Sequence, residues 1–151
     1  MQTVMNDASL ITKGFKISTD KELLDINMIY QYLNKESYWA KGVPLEKVRT
    51  SIDNSICFGI YKDDKQIGFA RVVTDKAIFA YLCDVFILDE YRRIGLSKWL
   101  IQTILAHDEL QGLRRWLLAT ADAHGLYNKF GFIPITSPER WMGIYKPYKQ
   151  D

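Results

Sequence analysis

Val85-Phe86-Ile87-Leu88-Asp89-Glu90-Tyr91-Arg92-Arg93-Ile94-Gly95-Leu96-Ser97-Lys98 runs from an apolar strand through a basic turn into a helix. From Gly95 to about residue 107 the spacing becomes helical, with Leu96, Trp99, Leu100, Thr103 and Ile104 on one face. A helix that starts directly out of such a turn aims the unpaired N–H groups of its first turn, and the positive end of its dipole, at whatever lies before it. An anion such as a pyrophosphate suits that arrangement, with Gly95 allowing close approach and Arg92, Arg93 and Lys98 adding charge. Taken alone, the same turn also fits a solvated loop before a capped helix.

Upstream, three β-like runs over 55–61, 66–74 and 78–88 read as an antiparallel meander, the first two joined by the polar hairpin signal Lys62-Asp63-Asp64-Lys65. Further back, residues 15–18 predict a short strand, and Thr19 or Asp20 can cap a helix running to about Asn34. A loop with Tyr38 and Trp39 then leads to Pro44 and a second helix through about Ile52. Downstream, 116–119 predict a strand, 122–130 a helix closed by Gly131, and 132–135 with 141–145 a final strand pair. This order predicts a mixed α/β single domain over 15–151, preceded by a flexible leader over 1–14.

Composition narrows the function. A chain of 151 residues that is 48% hydrophobic can bury a sizeable core without disulfide or metal staples. Its formal charge is +2, from 20 basic and 18 acidic residues, and no segment concentrates Lys and Arg, so nucleic acid is not an expected partner. Cys57 and Cys83 sit in apolar β-rich runs, where reduced cysteine behaves as a small buried hydrophobe. Neither a signal peptide nor a membrane span is expected, so a cytoplasmic protein without membrane contact follows. The two histidines, His107 and His124, lie far apart with no paired cysteines or carboxylate cluster, so no metal is expected.

A second motif follows after another strand: Asp122-Ala123-His124-Gly125-Leu126-Tyr127-Asn128-Lys129-Phe130-Gly131-Phe132. A tyrosine on a helix beyond the neighbouring strand can reach a ligand laid along the preceding strand, and its hydroxyl can donate a proton. Packing of Tyr127 with Phe130 and Phe132 is the structural alternative. Together, Arg92-Arg93-Ile94-Gly95-Leu96-Ser97 and Tyr127-Asn128-Lys129-Phe130-Gly131-Phe132 resemble the two motifs of the GNAT superfamily of acetyl-coenzyme A-dependent N-acyltransferases, in the family's order and separation. Ser97 departs from the family's usual Gly or Ala, and Thr120 stands about where many members carry an Asn facing the cofactor.

The resemblance implies a GNAT-like fold, a mixed and mostly antiparallel sheet of about six to seven strands flanked by about four helices. It implies that acetyl-coenzyme A is the co-substrate. Val85, Phe86 and Ile87 would offer backbone groups to the pantetheine arm, Arg92, Arg93, Ile94, Gly95, Leu96, Ser97 and Lys98 would hold the pyrophosphate, and Tyr127 would protonate the leaving sulfur. A backbone N–H near Phe86 or Ile87 would steady the oxyanion. Asp84, a carboxylate inside an apolar strand, is the candidate general base or amine anchor, with a paired structural carboxylate as the alternative. His124 and Trp39 are candidate acceptor contacts.

The expected activity is direct ternary-complex transfer of acetyl to a primary amine, borne by a small molecule or a protein. A non-catalytic acyl-coenzyme A sensor is the alternative, and a Rossmann-type site is disfavoured by a turn with one glycine where that fingerprint needs three. The predicted C-terminal strand edge would allow a homodimer.

Overall fold

The computed structural model describes residues 7–149. Its frame is one sheet in the order β1-β2-β3-β4-β5, formed by β1 (Phe15–Ser18), β2 (Ile56–Lys62), β3 (Lys65–Thr74), β4 (Phe79–Ile87) and β5 (Arg115–Leu117). Strands β1 to β4 are antiparallel neighbours, and β5 returns parallel to β4. The β2–β3 turn is the two residues Asp63-Asp64, and Asp63 takes the left-handed conformation (φ +53°) that a tight hairpin requires.

Helices α1 (Asp7–Thr12), α2 (Ile26–Gln31), α3 (Leu45–Asp53), α4 (Leu96–Leu105) and α5 (His124–Asn128) surround this sheet. Alternation along the strands sends Phe58, Ile60, Ile67, Val72, Ala80 and Leu82 to one core with Leu96, Leu100, Ile101 and Ile104 of α4. The opposite face carries Cys57, Phe69 and Phe86 against Ile29, Leu33, Val48 and Ile52 of the α2–α3 side. Covered on both faces, β2 reads in sequence as a nearly unbroken apolar run.

The GNAT-like α/β fold stands as expected, with differences in three places. The helix expected over 19–34 is broken. Asp20 accepts from the Glu22 N–H (2.9 Å) to cap a 3₁₀ turn over Lys21–Leu23, Leu24 leaves helical geometry, and Asp25 starts α2 by accepting from Met28 N–H (3.0 Å). Two aspartates five residues apart each compete for the helix start. After α2 the chain widens into a π-helical turn, Tyr32–Glu36, which swings Tyr38 and Trp39 toward the sheet.

The leader expected over 1–14 also shortens. Residues 1–6 lie outside the described residues, but Asp7–Thr12 form α1 and Leu10 is fully buried in the α4-side core. Finally, the strand pair expected over 132–135 and 141–145 is absent among the described residues. Ser137 turns the chain (φ +57°) into a 3₁₀ turn, Pro138–Arg140, and the sheet has five strands instead of six or seven.

Leu10 gives a direct check on α1. Leu10→Ala is expected to cost about 2–5 kcal/mol in urea unfolding, the range for emptying a buried leucine site. A loss below about 0.5 kcal/mol, typical of surface positions, would mean that α1 does not belong to the folded core.

Candidate active site

The site begins where the sheet fails to close. Strand β5 pairs with β4 at three positions only, Phe79↔Arg115, Ala80↔Trp116 and Tyr81↔Leu117, leaving the rest of β4 uncovered on that side. The cause lies within β4. Between the pairs Phe69↔Phe86 and Arg71↔Cys83, Asp84 and Val85 both oppose Ala70, and Asp84 takes φ +54°. Such a bulge bends its strand and increases its twist, so β4 turns away from β5.

The bulge is locked by the side chain that adopts it. The Asp84 carboxylate is nearly buried (11% exposed) and accepts from Arg71 Nε on one oxygen and from Trp39 Nε1 on the other, both at 2.9 Å. Arg71 in turn donates to Ser55 Oγ (3.1 Å), whose hydroxyl donates to the Ser51 carbonyl (2.6 Å) at the end of α3. A hydrogen-bonded chain thus runs from α3 through the sheet to the indole of Trp39. Both Asp84 carboxylate oxygens are engaged, the pairing expected of a structural carboxylate.

A cavity of about 1070 Å³ fills the gap. One wall is β4 from Tyr81 to Ile87, the other the segment 118–123 with Leu126 and Tyr127, and Tyr32, Glu36, Tyr38 and Trp39 from the α2 side complete the lining. Backbone groups of successive strand residues face alternate edges. The Leu88 N–H bonds to the Ile67 carbonyl on the β3 side (2.9 Å), whereas the Ile87 carbonyl accepts from Arg92 Nε on the cleft side (2.9 Å). Val85 and Ile87 therefore present their backbone to the cleft, and Phe86 turns its backbone toward β3. The Phe86 ring stacks on Tyr32 with centroids 3.9 Å apart.

Tyr127 comes from the buried face of α5 and is 8% exposed. Burial pushes its hydroxyl up to about 12, with Tyr38 and Asp122 nearby adding to the shift. The Tyr38 hydroxyl accepts from the Ala121 N–H (2.9 Å), tying the loop after α2 to the loop after β5 across the cavity. Thr120, expected as a missing contact, uses its hydroxyl to accept from the Ala123 N–H (3.0 Å) and so shapes the entry to α5.

At the other end the basic turn forms a second cavity of about 200 Å³. Arg93 (φ +68°) and Gly95 (φ +96°) are both left-handed, a backbone arrangement that gathers N–H groups into an anion-binding concavity. The Trp99 N–H bonds to the Gly95 carbonyl (3.2 Å), so the amides of Leu96, Ser97 and Lys98 precede the helical ladder. Desolvation and the adjacent Lys129 hold the Lys98 ammonium below its usual range. The two cavities share Arg92, Ser97 and Leu126.

The expected residues thus divide. Val85, Phe86, Ile87, Arg92, Ser97, Asp84, Trp39 and Tyr127 line the large cavity, and Arg93, Gly95, Leu96 and Lys98 line the small one. Ile94 packs against the core, and His124 is exposed and belongs to neither lining. Arg92 is more than a phosphate ligand: it bonds the Ile87 carbonyl, the Tyr32 hydroxyl (3.0 Å) and Asp89 (2.6 Å), bracing the turn against β4. Arg71 and Tyr32 escaped the sequence reading. Arg71 carried a usable signal, because a charge within Phe69-Ala70-Arg71-Val72 demands a buried partner as much as Asp84 does.

The sequence profile of the Acetyltransferase (GNAT) family matches residues 26–132. A crystal structure from Xanthomonas campestris pv. campestris, of a protein provisionally named as a GNAT acetyltransferase, is 50% identical with a TM-score of 0.86, covering 88% of this chain and 94% of that one. A Gibberella zeae protein provisionally named as an acetyltransferase is 32% identical over 141 residues, 78% of each chain. The fold is also similar to a GNAT acetyltransferase of Elizabethkingia anophelis crystallised with acetyl-CoA, at 12% identity and TM-score 0.61, covering 82% of this chain and 78% of that one.

The locked bulge can be tested by removing its cation. Arg71→Met strands a nearly buried carboxylate and is expected to cost about 3 kcal/mol in urea unfolding, with a change in Trp39 fluorescence environment. Unchanged stability would show that the pair does not hold the bulge.

Proposed function

We propose, from the premise that this chain belongs to the acetyltransferase (GNAT) family, that it moves an acetyl group from acetyl-coenzyme A to a small cationic primary amine. The observation that carries this reading is the open edge of β4, which leads from an amide-rich basic turn to the buried hydroxyl of Tyr127. A ligand with a pyrophosphate and an amide-bearing arm fits that path. The free first-turn amides of α4 and the left-handed Arg93 and Gly95 suit the phosphates, and the cleft-facing backbone of Val85 and Ile87 suits the arm.

Bound there, acetyl-coenzyme A supplies an activated thioester: the amine nitrogen attacks its carbonyl carbon, the C–S bond breaks, and coenzyme A leaves as a thiol. The Ile87 N–H, on the cleft side of β4, donates to the carbonyl oxygen as it gains charge. Tyr127 gives its proton to the departing sulfur and regains one from solvent, while the proton lost by the amine leaves through the open cavity. Asp84 acts as a positioning residue, holding β4 bent and Trp39 in place.

Charge on the cavity walls supports a cationic acceptor. Asp84 and Asp89 on the large cavity are neutralised by Arg71 and Arg92, which leaves Glu36 and Asp122 as carboxylates without an ion pair among the described lining residues, and Tyr32, Tyr38 and Trp39 add aromatic faces. A phosphorylated amino sugar meets like charge there. Retention of a buried tyrosine at the β4 edge supports a catalyst over a sensor, which has no use for an acid at that point.

Thermal shift with acetyl-coenzyme A, coenzyme A and NADH, then thiol release against small amines and an amine-bearing peptide, tests the assignment. Stabilisation by acetyl-coenzyme A with release driven by cationic amines is expected; binding without turnover on any amine would leave a sensor, and no binding would overturn the site.

Tyr127→Phe is expected to lower kcat roughly 10²-fold or more while leaving acetyl-coenzyme A affinity within about threefold. The pH dependence follows from its raised hydroxyl. Tyr127 stays protonated until about 12, so the wild-type rate should rise as the amine loses its proton and show no descending limb from this group below about pH 10. Stability linked to Tyr127 should fall as pH rises from about 10, where the unfolded tyrosine ionises, through the folded value. A descending limb near neutral pH that vanishes in Tyr127→Phe would contradict the assignment.

A further inference from the structure

A tyrosine side chain bridges the cleft from one bank to the other. The Tyr38 hydroxyl, from the loop after α2, accepts from the Ala121 N–H, in the loop after β5, at 2.9 Å. Both residues line the large cavity, and Tyr38 is 60% exposed, so its ring forms a strap with water on its outer side and the cavity on its inner side. Tyr38 and Asp122 both lie close enough to Tyr127 to raise its hydroxyl, which puts the strap beside the acid of the transfer reading.

Each end of the strap is held by its own loop. The neighbours of Tyr38 are pinned: buried Ser37 donates its hydroxyl to the Leu33 carbonyl (2.7 Å) and accepts from the Ala40 N–H (3.1 Å), while Trp39 Nε1 donates to Asp84 (2.9 Å). The Trp39 ring also meets the Tyr38 ring edge to face, with centroids 5.0 Å apart. On the opposite bank the Thr120 hydroxyl accepts from the N–H groups of Asp122 (3.4 Å) and Ala123 (3.0 Å), and the Ala121 N–H between them is the one given to Tyr38. A tyrosine has few torsions to fix, so holding it across a gap costs little conformational entropy.

Two groups in hydrogen-bond contact leave no gap between them for a chain. A slender amine can pass beside the ring to reach the thioester, but an amine followed by a polypeptide needs room for a backbone where Tyr38 and Ala121 meet. We propose that Tyr38 is a specificity-determining residue, which restricts acceptors to the amines of free small molecules and rejects the N-terminus of a polypeptide. This inference rests on the transfer reading above and assigns the size of the acceptor to one side chain. The bond is open to water and has the modest strength of any such bond, so the restriction is one of degree and a single substitution relaxes it.

The test compares wild type with Tyr38→Phe, which keeps the ring without the bond, and Tyr38→Ala, which removes both. Glycinamide and a hexapeptide amide with N-terminal glycine present the same amine without and with a chain. The ratio of their kcat/KM values is the readout, because a change in folding or in acetyl-coenzyme A binding moves both substrates alike. Wild type is expected to prefer glycinamide by at least about tenfold, and Tyr38→Ala to lower that preference by about tenfold, the upper worth of one neutral hydrogen bond. Tyr38→Phe should lower it less, and should quicken hydrogen exchange at the Ala121 amide by up to about tenfold. A wild type that takes the hexapeptide as readily as glycinamide would overturn the proposal. So would a preference that Tyr38→Ala leaves unchanged, or an Ala121 amide that exchanges equally fast in wild type and Tyr38→Phe. Thermal shift with acetyl-coenzyme A separates the two failures: a shift with an unchanged preference overturns the strap alone, whereas no shift in the wild type overturns the transfer reading and the proposal with it.

Discussion

The ion pair between Arg71 and Asp84 is the constraint on which the rest of the structure depends. Neither charge could be left in an apolar sheet alone, because an uncompensated buried charge costs several kcal/mol. Placed on adjacent strands at 2.9 Å, they neutralise each other. Their pairing also holds a non-glycine residue in left-handed geometry, which few contexts repay. That geometry makes the bulge, the bulge turns β4 from β5, and the cleft is what remains between them. Trp39 is held by the other oxygen of the same carboxylate, so the α2 side of the cavity is aligned by the interaction that opened it.

Around this opening the charge is sorted by position. The turn after β4 gathers Arg92, Arg93 and Lys98 near free helix amides, with Asp89 paired to Arg92, while Glu36 and Asp122 line the long cavity with aromatic rings between them. The net charge of +2 conceals this separation, because opposite signs cancel in a sum while they remain distinct in space. Strand β4 leads from the bulge to this basic turn. Arg92 lines both cavities, bracing the turn to the strand through the Ile87 carbonyl and to the α2 side through Tyr32.

The sheet is well covered on its faces and poorly covered at its last strand. Four antiparallel strands carry apolar residues on both sides and are sealed by α2–α3 and α4. Strand β5, three residues long, is covered less completely, and large apolar side chains beyond Pro138 stand exposed. A sheet edge is an unsatisfied row of hydrogen-bonding groups, so its short length limits the exposure without removing it.

Local patterns made much of this legible. Alternation and turn residues placed β1 to β4 within a residue or two, and the switch to helical spacing at Gly95 placed α4 and its anion-binding turn, because strand and helix periods are properties of neighbouring residues. Motif order and spacing pointed to the family and to Tyr127. Less legible were features that depend on competition or on distant partners. The break at Leu24 arose from two aspartates contending for one helix start, and the final strands, absent among the described residues, gave way to the turn at left-handed Ser137. His124 and Tyr127 share a helix, yet only Tyr127 faces the cavity, because the sheet decides which side of α5 is buried. The sequence by itself determined the fold's order of elements and the chemistry of the basic turn, since both rest on local backbone preference. Only the tertiary structure decided that Asp84 is a partner of Arg71, because that role is set by which charge lies across the strand, thirteen residues away along the chain.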